Sequence, residues 1–388
     1  MKNTDIQNIL DEKYRPEDSV ILRYHPSGLS RLTEQDLLRV HISEGERIFH
    51  LMRYRGIPIY ILDETTLTET NTFEALLASV AIAHVKKSGR KKVIFSSGGN
   101  LGTALAAYAQ NAGIDAYSFN PVENVNLLDG AVFRKKGVSL IGVRESQRIR
   151  EIILAFRRKV KSGLGYDPLI PKPSWRSEAF GFRGLYISEF ISTHNIDFVT
   201  IAQTISAGFG PLGTFKTILN CYGAGSGKRV PAFLGVQQEA NCYMFRRWTG
   251  KKVVDTSPLI VPTLFDRNPN ASFGTYQAVA ALLKETNGSL VTINQGELER
   301  YIPGKVMDRL VEKGVRHTAR KGKILWRSGL MCLAGVMKAI DHGVINDGSA
   351  LVCMTDGVRK YTVPPKPFMV VESENDLDKL AETFMGKE

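Results

Sequence analysis

SSGGNLGTALAAYAQNAGI, residues 96–114, joins an apolar run typical of a β-strand to a run typical of a helix. Its small residues allow the backbone to approach a ligand closely, and the N-terminus of a helix favours an anion. The side-chain amide of Asn100 adds a further hydrogen-bonding group. The candidate ligand contacts are Ser97, Gly98, Gly99 and Asn100, and the alternative is an ordinary strand-to-helix turn.

Two further segments occupy the same place in the pattern. TISAGFGPLGTF, residues 204–215, also lies between a predicted strand and a predicted helix, and its backbone N–H groups and hydroxyls suit a phosphate. ALVCMTDGVRK, residues 350–360, reads as a strand whose carboxyl end is Thr355, and open α/β sheets bind ligands at such ends. Both segments also fit plain turns. Their candidate ligand residues are Ser206, Gly208, Gly210, Gly213, Thr214 and Thr355.

Strand-like and helix-like runs alternate along most of the chain, which predicts parallel βαβ units and an α/β fold. The predicted strands are 57–62, 92–97, 115–120, 139–143, 198–204, 232–237 and 350–355. The predicted helices are 73–88, 102–112, 147–161, 184–193, 211–221, 274–285, 296–303 and 330–342.

Composition places the chain among ordinary globular proteins. It has 388 residues, of which 43% are hydrophobic and 23% charged, enough for two domains of normal size. No apolar run is long enough to span a bilayer, and the polar N-terminus is unlike a secretory signal, so we expect no membrane contact and a cytoplasmic location. The four scattered cysteines are expected to be buried thiols, and no spacing predicts a metal site.

The net charge of +12 is concentrated in one place. Residues 134–161, here called the basic segment, contain ten Lys or Arg and two Glu, a charge of +8. Such a segment attracts polyanions, so a nucleic acid or an acidic protein is a candidate partner. The alternative is a solvated helix face, and no nucleic-acid-binding motif accompanies the charge.

In combination and in this order, the motifs resemble fold-type II pyridoxal-phosphate (PLP) enzymes of the threonine synthase branch, relatives of tryptophan synthase β. The resemblance covers about residues 55 to 362, through the three motifs and the segments 59–83, 181–191, 235–248 and 322–345. It implies two three-layer α/β/α domains with mostly parallel sheets and a ligand cleft between them. It also implies an N-terminal extension over 1–50, a large domain of 51–74 plus 191–388, a small domain of 75–190, and a homodimer.

The resemblance also assigns roles to particular residues. Asn100 would meet the PLP ring hydroxyl, Gly208 and Gly210 the phosphate, and Thr355 the ring nitrogen. The position of the lysine that forms an imine with PLP is held by Glu74. Asp356 stands where the family has Gly, and Trp326-Arg327 replace Glu-Pro at the start of the late helix.

A carboxylate cannot form the imine of the normal catalytic cycle. We therefore expect a divergent protein without covalent PLP, whose cleft binds or transforms an amino-acid-like or phosphorylated small molecule. Glu74 is its candidate acid or base, and non-covalent PLP is a candidate ligand. One alternative is a non-catalytic protein or partner subunit that docks through the basic segment. Another is a PLP-dependent lyase or synthase that uses a different lysine, with Lys216 as the candidate.

Overall fold

A computed structural model describes residues 6–40, 44–97, 99–222, 229–252, 257–264, 276–317, 319–320, 323–324, 327–357 and 363–386. All seven predicted strands are present. Three strands that were not predicted also belong to the two main sheets. The strands are β1 Arg47–Tyr54, β2 Ile57–Asp63, β3 Lys92–Ser96, β4 Asp115–Pro121, β5 Val138–Val143, β6 Phe198–Thr204, β7 Ala232–Gln238, β8 Ser289–Ile293, β9 Ala319–Arg320, β10 Lys323–Ile324, β11 Ser349–Met354 and β12 Met369–Val371.

The eight predicted helices are also present, with shifted ends. The α-helices are α1 Val20–Tyr24, α2 Glu34–Leu38, α3 Glu74–Lys87, α4 Asn100–Asn111, α5 Gly130–Phe133, α6 Ile149–Leu164, α7 Pro173–His194, α8 Phe209–Tyr222, α9 Tyr243–Thr249, α10 Tyr276–Glu285, α11 Gln295–Tyr301, α12 Gly304–Glu312, α13 Ser328–Asp341 and α14 Glu374–Gly386. Short 3-10 helices cover His25–Ser27, Val122–Leu127, Ser146–Arg148, Glu239–Asn241 and Pro262–Leu264.

The chain divides into two compact units. Unit 1 comprises residues 1–31, 43–73 and 176–358. It contains a six-stranded sheet in the order β1-β2-β11-β6-β7-β8, in which β1 is antiparallel to β2 and every other pair is parallel. Its core packs apolar side chains of the sheet against α13, from Leu330 to Ile340. The parallel strands place their carboxyl ends along one edge of the sheet, where ligands of open α/β sheets bind.

Unit 2 comprises residues 32–42, 74–175 and 359–388. Its sheet has four parallel strands in the order β12-β5-β4-β3. The C-terminal helix α14 packs on this sheet and on α6, since the buried ring of Phe384 lies 4.5 Å from Tyr117 and 5.5 Å from Phe156 between ring centroids. The α/β architecture with mostly parallel sheets is therefore confirmed.

The two units group several ranges of residues differently from the predicted domains. Residues 359–388 group with unit 2, because β12 pairs with β5 and α14 covers α6. Residues 176–190 group with unit 1, because Arg183 of α7 pairs with buried carboxylates there. Within the predicted extension 1–50, residues 32–42 group with unit 2, and β1 already begins at Arg47.

All four cysteines are buried, as predicted. No helix in the described part of the chain combines the length and the apolar composition that crossing a membrane requires.

Candidate functional site

Three neighbouring strands of unit 1 end at the same edge of the sheet. The last residue of β11, Met354, pairs with Asp63 at the end of β2, and β11 also pairs with β6. The predicted ligand residue Thr355 follows β11 directly, and Ser206 lies two residues after the end of β6. The fold thus brings the second and third motifs together within unit 1, as their strand-end positions predicted.

Thr355 is held in a network of hydrogen bonds. Its hydroxyl lies 3.1 Å from that of Ser328, the first residue of α13. Its carbonyl accepts a hydrogen bond of 3.2 Å from the N–H of Phe73, and Gly357 N–H donates to Asn71 at 2.9 Å. The segment before Glu74 is therefore tied by its backbone to the segment after β11.

Asp356 and His317 lie beside this network and were not among the predicted ligand residues. Asp356 is 2% exposed, its Oδ1 accepts a long 3.4 Å hydrogen bond from Gly329, and its Oδ2 has no hydrogen-bond partner in the described part of the chain. The same holds for both ring nitrogens of His317. Burial lowers the pKa of His317, although the carboxylates of Asp356 and Asp63 act in the opposite direction. A buried carboxylate oxygen without a partner favours a cationic or hydrogen-bond-donating ligand.

The glycine-rich loop after β6 has its own geometry. Gly208 adopts a φ of +78°, which favours glycine, and α8 begins at the next residue, Phe209. Ser206 is half-buried. Thr214, in the second turn of α8, is 2% exposed and its hydroxyl has no hydrogen-bond partner among the described residues. Thr214 therefore has a buried hydroxyl available to a ligand, and the contact of this loop with a phosphate stays a prediction.

Internal packing requires a glycine at positions 210 and 213. A Cβ atom on Gly210 would lie 2.6 Å from the ring of Phe73 and 2.8 Å from the Gln203 amide nitrogen. On Gly213 it would lie 2.7 Å from the Cβ of Phe180. The Phe73 ring is 5.1 Å from that of Phe180 and 6.3 Å from that of Phe209, between centroids. These glycines make room for an aromatic cluster.

A buried ion network supports the Phe73 ring. The Arg183 side chain is 1% exposed and donates to Glu64 at 2.6 Å and to Gln203 at 2.7 Å. Its guanidinium carbon lies 5.4 Å from the centre of the Phe73 ring. Burial lowers the pKa of Arg183, but the nearby Glu64 charge outweighs this effect and raises it, so the guanidinium stays charged. Sequence reasoning missed this network because its members are far apart in the chain.

A second carboxyl group, Glu46, lies 3.8 Å from Arg183 and is fully buried. Burial and the neighbouring Glu64 carboxylate raise the pKa of Glu46 well above its usual range. Burial therefore disfavours a charge on Glu46, and Glu64 is the carboxylate that pairs with Arg183 at hydrogen-bonding distance.

The first motif lies in unit 2, in the turn between β3 and α4. Ser97 and Gly99 are half-buried, Asn100 is 9% exposed and begins α4, and Gly98 lies outside the described residues. A Cβ atom on Gly102 would lie 2.2 Å from the Ser97 carbonyl oxygen, so the turn needs a glycine there. The motif is the strand-to-helix turn that the sequence predicted.

Glu74 is the first residue of α3 and is half-buried. The division between the two units falls between Phe73 and Glu74. A carboxylate in the first turn of a helix is stabilised by the helix dipole. Glu74 can accept or release a proton, but it offers no amine to an aldehyde.

The basic segment lies in unit 2, and acidic residues outside it offset part of its charge. Arg144 lies 2.6 Å from Glu372, and Lys159 lies 2.8 Å from Asp378. Arg157 donates from Nε to Asp167 at 2.8 Å. These carboxylates follow the segment in sequence, and two of them come from the C-terminal region that folds back onto unit 2. The charge available to a polyanion is therefore lower than the sequence count of +8.

The fold and the strand-end site define a class of protein. A family model of pyridoxal-phosphate dependent enzymes matches residues 46–302, more than half of the chain. The chain belongs to this family, which confirms the predicted resemblance at the family level. The threonine synthase branch stays a prediction. A search of curated proteins gives no match.

Solved structures share the fold at low sequence identity. The processed form of threonine deaminase isoform 2 from Solanum lycopersicum is 15% identical, with a TM-score of 0.56 over 91% of this chain and 88% of that chain. Diaminopropionate ammonia lyase from Escherichia coli is 13% identical, with a TM-score of 0.56 over 99% and 91%. O-acetylserine dependent cystathionine beta-synthase from Helicobacter pylori is 14% identical, with a TM-score of 0.56 over 86% and 98%.

The packing role of Gly210 can be tested by stability. The Gly210→Ala change should lower the free energy of unfolding by about 1–3 kcal/mol, because the added methyl overlaps the Phe73 ring. In a Phe73→Leu background the same change should cost less. The control is Gly304→Ala, which adds a methyl to a helix where no atom lies within 4 Å. Chemical denaturation measures the wild type and the four variants (Gly210→Ala, Phe73→Leu, the double variant and Gly304→Ala), and an equal cost of Gly210→Ala in both backgrounds would refute the packing role.

The buried His317 should make stability depend on pH. Its pKa is below the ordinary value of 6.5, so the unfolded chain binds a proton more readily than the folded chain. The contribution of His317 to the free energy of unfolding is therefore present above about pH 6.5. It is lost as the pH falls below that value, because the unfolded chain takes up the proton first. Unfolding free energies measured between pH 7.5 and pH 5.5 should fall less steeply in His317→Gln than in the wild type. His342→Gln, at an exposed position, should keep the wild-type slope.

Proposed function

We propose that this protein binds a small amino-acid-like ligand at the strand-end site of unit 1, without an imine to PLP. The observation that carries the proposal is the buried Asp356 carboxylate, whose Oδ2 has no partner among the described residues. An ammonium group is the ligand group that best satisfies such an oxygen, because it supplies both charge and hydrogen bonds. The hydroxyls of Thr355 and Ser328 lie next to it and orient the ligand.

Two further points support an amino acid as the ligand. The hydroxyl of Thr214 and the N-terminus of α8 suit an anionic group, either the ligand's carboxylate or a phosphate. The similar solved structures include a threonine deaminase, a diaminopropionate ammonia lyase and an O-acetylserine dependent cystathionine beta-synthase. A small molecule that carries both an ammonium group and an anionic group is an amino acid or a phosphorylated derivative of one.

When bound as an imine, PLP supplies the electron sink for amino-acid chemistry in its family. In this chain, the residue that the family motif places at the lysine position is Glu74, so we propose that no imine forms there. Glu74 is the proposed acid or base if the ligand is transformed, since it can hold a proton at the start of α3. Non-covalent PLP remains a candidate ligand.

The two alternatives rest on weaker ground. Lys216 is exposed between the buried residues Phe215 and Thr217, so its amine lacks the burial that activates imine-forming lysines. A docking role for the basic segment requires charges that are not already offset, and Arg144, Arg157 and Lys159 have carboxylate partners. A homodimer also remains a proposal.

The role of Asp356 can be tested by ligand binding. Calorimetric titrations with L-serine, L-threonine and O-phospho-L-serine should give binding of at least one of them to the wild type. The Asp356→Asn change should weaken that binding by about tenfold or more, because a charge-assisted hydrogen bond contributes roughly 1.5–3 kcal/mol. Asp308→Asn, which removes an exposed carboxylate elsewhere in unit 1, should not change it. Equal affinity of wild type and Asp356→Asn would refute the proposal.

A further inference from the structure

A second cavity of unit 1 lies at the opposite end of α13 from the strand-end site. It has a volume of about 440 Å³, within the range of small-molecule sites. Helix α13 begins at Ser328, which contacts Thr355, and ends at Asp341, which lines the cavity. At 1.5 Å per residue this helix spans about 20 Å, so the cavity is separate from the candidate site.

The walls of the cavity are apolar and aromatic. Its apolar floor is formed by the buried side chains of Met52, Val306 and Met337, which are 6%, 7% and 4% exposed. Tyr54 and Tyr301 also line it. A surface of this kind binds the apolar part of an organic molecule.

The only carboxylate among the residues that line the cavity is already satisfied. Asp341 accepts hydrogen bonds from the hydroxyls of Tyr54 at 3.1 Å and Tyr301 at 3.0 Å, and Arg55 lies 2.5 Å from it. Arg55 neutralises its charge. Asp341 therefore cannot balance the remaining cations of the cavity.

Three such cations line the cavity: Arg300, Lys305 and Arg309. None of them forms an ion pair with a carboxylate in the described ranges of the chain. Lys305 and Arg309 are one helical turn apart on α12, where like charges repel each other. Arg300 lies over the ring of Tyr301, 4.6 Å from its centre, which limits its freedom before a ligand arrives. The lining thus carries three positive charges next to an apolar floor.

We propose that this cavity is a second ligand site, for a small phosphate monoester with an apolar substituent. The guanidinium groups of Arg300 and Arg309 can each donate two parallel hydrogen bonds to phosphate oxygens. The Lys305 ammonium adds a further positive charge. The apolar substituent packs on Met52, Val306 and Met337. The site takes an anion, and its occupation does not depend on the proposed strand-end ligand.

Phenyl phosphate is a suitable probe, with inorganic phosphate and benzyl alcohol as its two matched halves. Calorimetric titration should show phenyl phosphate binding about tenfold or more tightly than either half, because the site contacts both parts. The triple change Arg300→Gln, Lys305→Gln and Arg309→Gln should weaken this binding by about tenfold or more. The altered side chains are exposed, so circular dichroism should show an intact fold.

Two controls make the test specific. Lys251→Gln, Lys252→Gln and Lys313→Gln remove the same charge from exposed positions outside the cavity and should leave the affinity unchanged. Asp356→Asn should also leave it unchanged. The proposal is overturned if phenyl phosphate binds no more tightly than inorganic phosphate, if both triple variants weaken it equally, or if Asp356→Asn abolishes it.

Discussion

The strand-end site depends on one buried cation, Arg183. Its guanidinium joins Glu64, just after β2, to Gln203 in β6, the strands on either side of β11. It also lies against the Phe73 ring. Loss of one member of a buried ion pair leaves an uncompensated charge and costs roughly 3–5 kcal/mol. The three strand ends and Phe73 are therefore held in one arrangement.

Phe73 contacts the rest of the site through both its backbone and its ring. Its backbone is bonded to Thr355, and its ring occupies the space that Gly210 leaves free. Part of the glycine-rich loop thus serves the packing of unit 1. The buried polar atoms without a hydrogen-bond partner within the described residues include the hydroxyl of Thr214, the Oδ2 of Asp356 and the ring nitrogens of His317. A ligand with an ammonium group and an anionic group fits these groups better than a purely apolar one.

Much of the fold follows from local sequence patterns, because short apolar runs mark the predicted strands and helical spacing marks the predicted helices. Strand β1 was missed since a register shift between His50 and Met52 breaks its alternation, and β12 is only three residues long. The packing of Gly210 and Gly213 against Phe73 and Phe180 could not be predicted, because these rings come from other segments of the chain. The contact of these glycines with a phosphate stays a prediction. Arg183 and His317 carry no motif, and only the folded chain brings them to their carboxylates. Thr355 and its strand-end position were predictable because sheet topology alone determines them.

The central claim is that a family member with Glu74 in the lysine position uses its site without an imine to PLP. The most direct measurement is to incubate the purified protein with PLP, reduce it with borohydride and map pyridoxyl-lysine by peptide mass spectrometry. Borohydride converts an imine into a stable amine, so any lysine bound to PLP is labelled permanently. The account predicts only sparse labelling spread over exposed lysines, the same after denaturation as before. Stoichiometric labelling of a single lysine in the folded protein, at Lys216 or elsewhere, would contradict it.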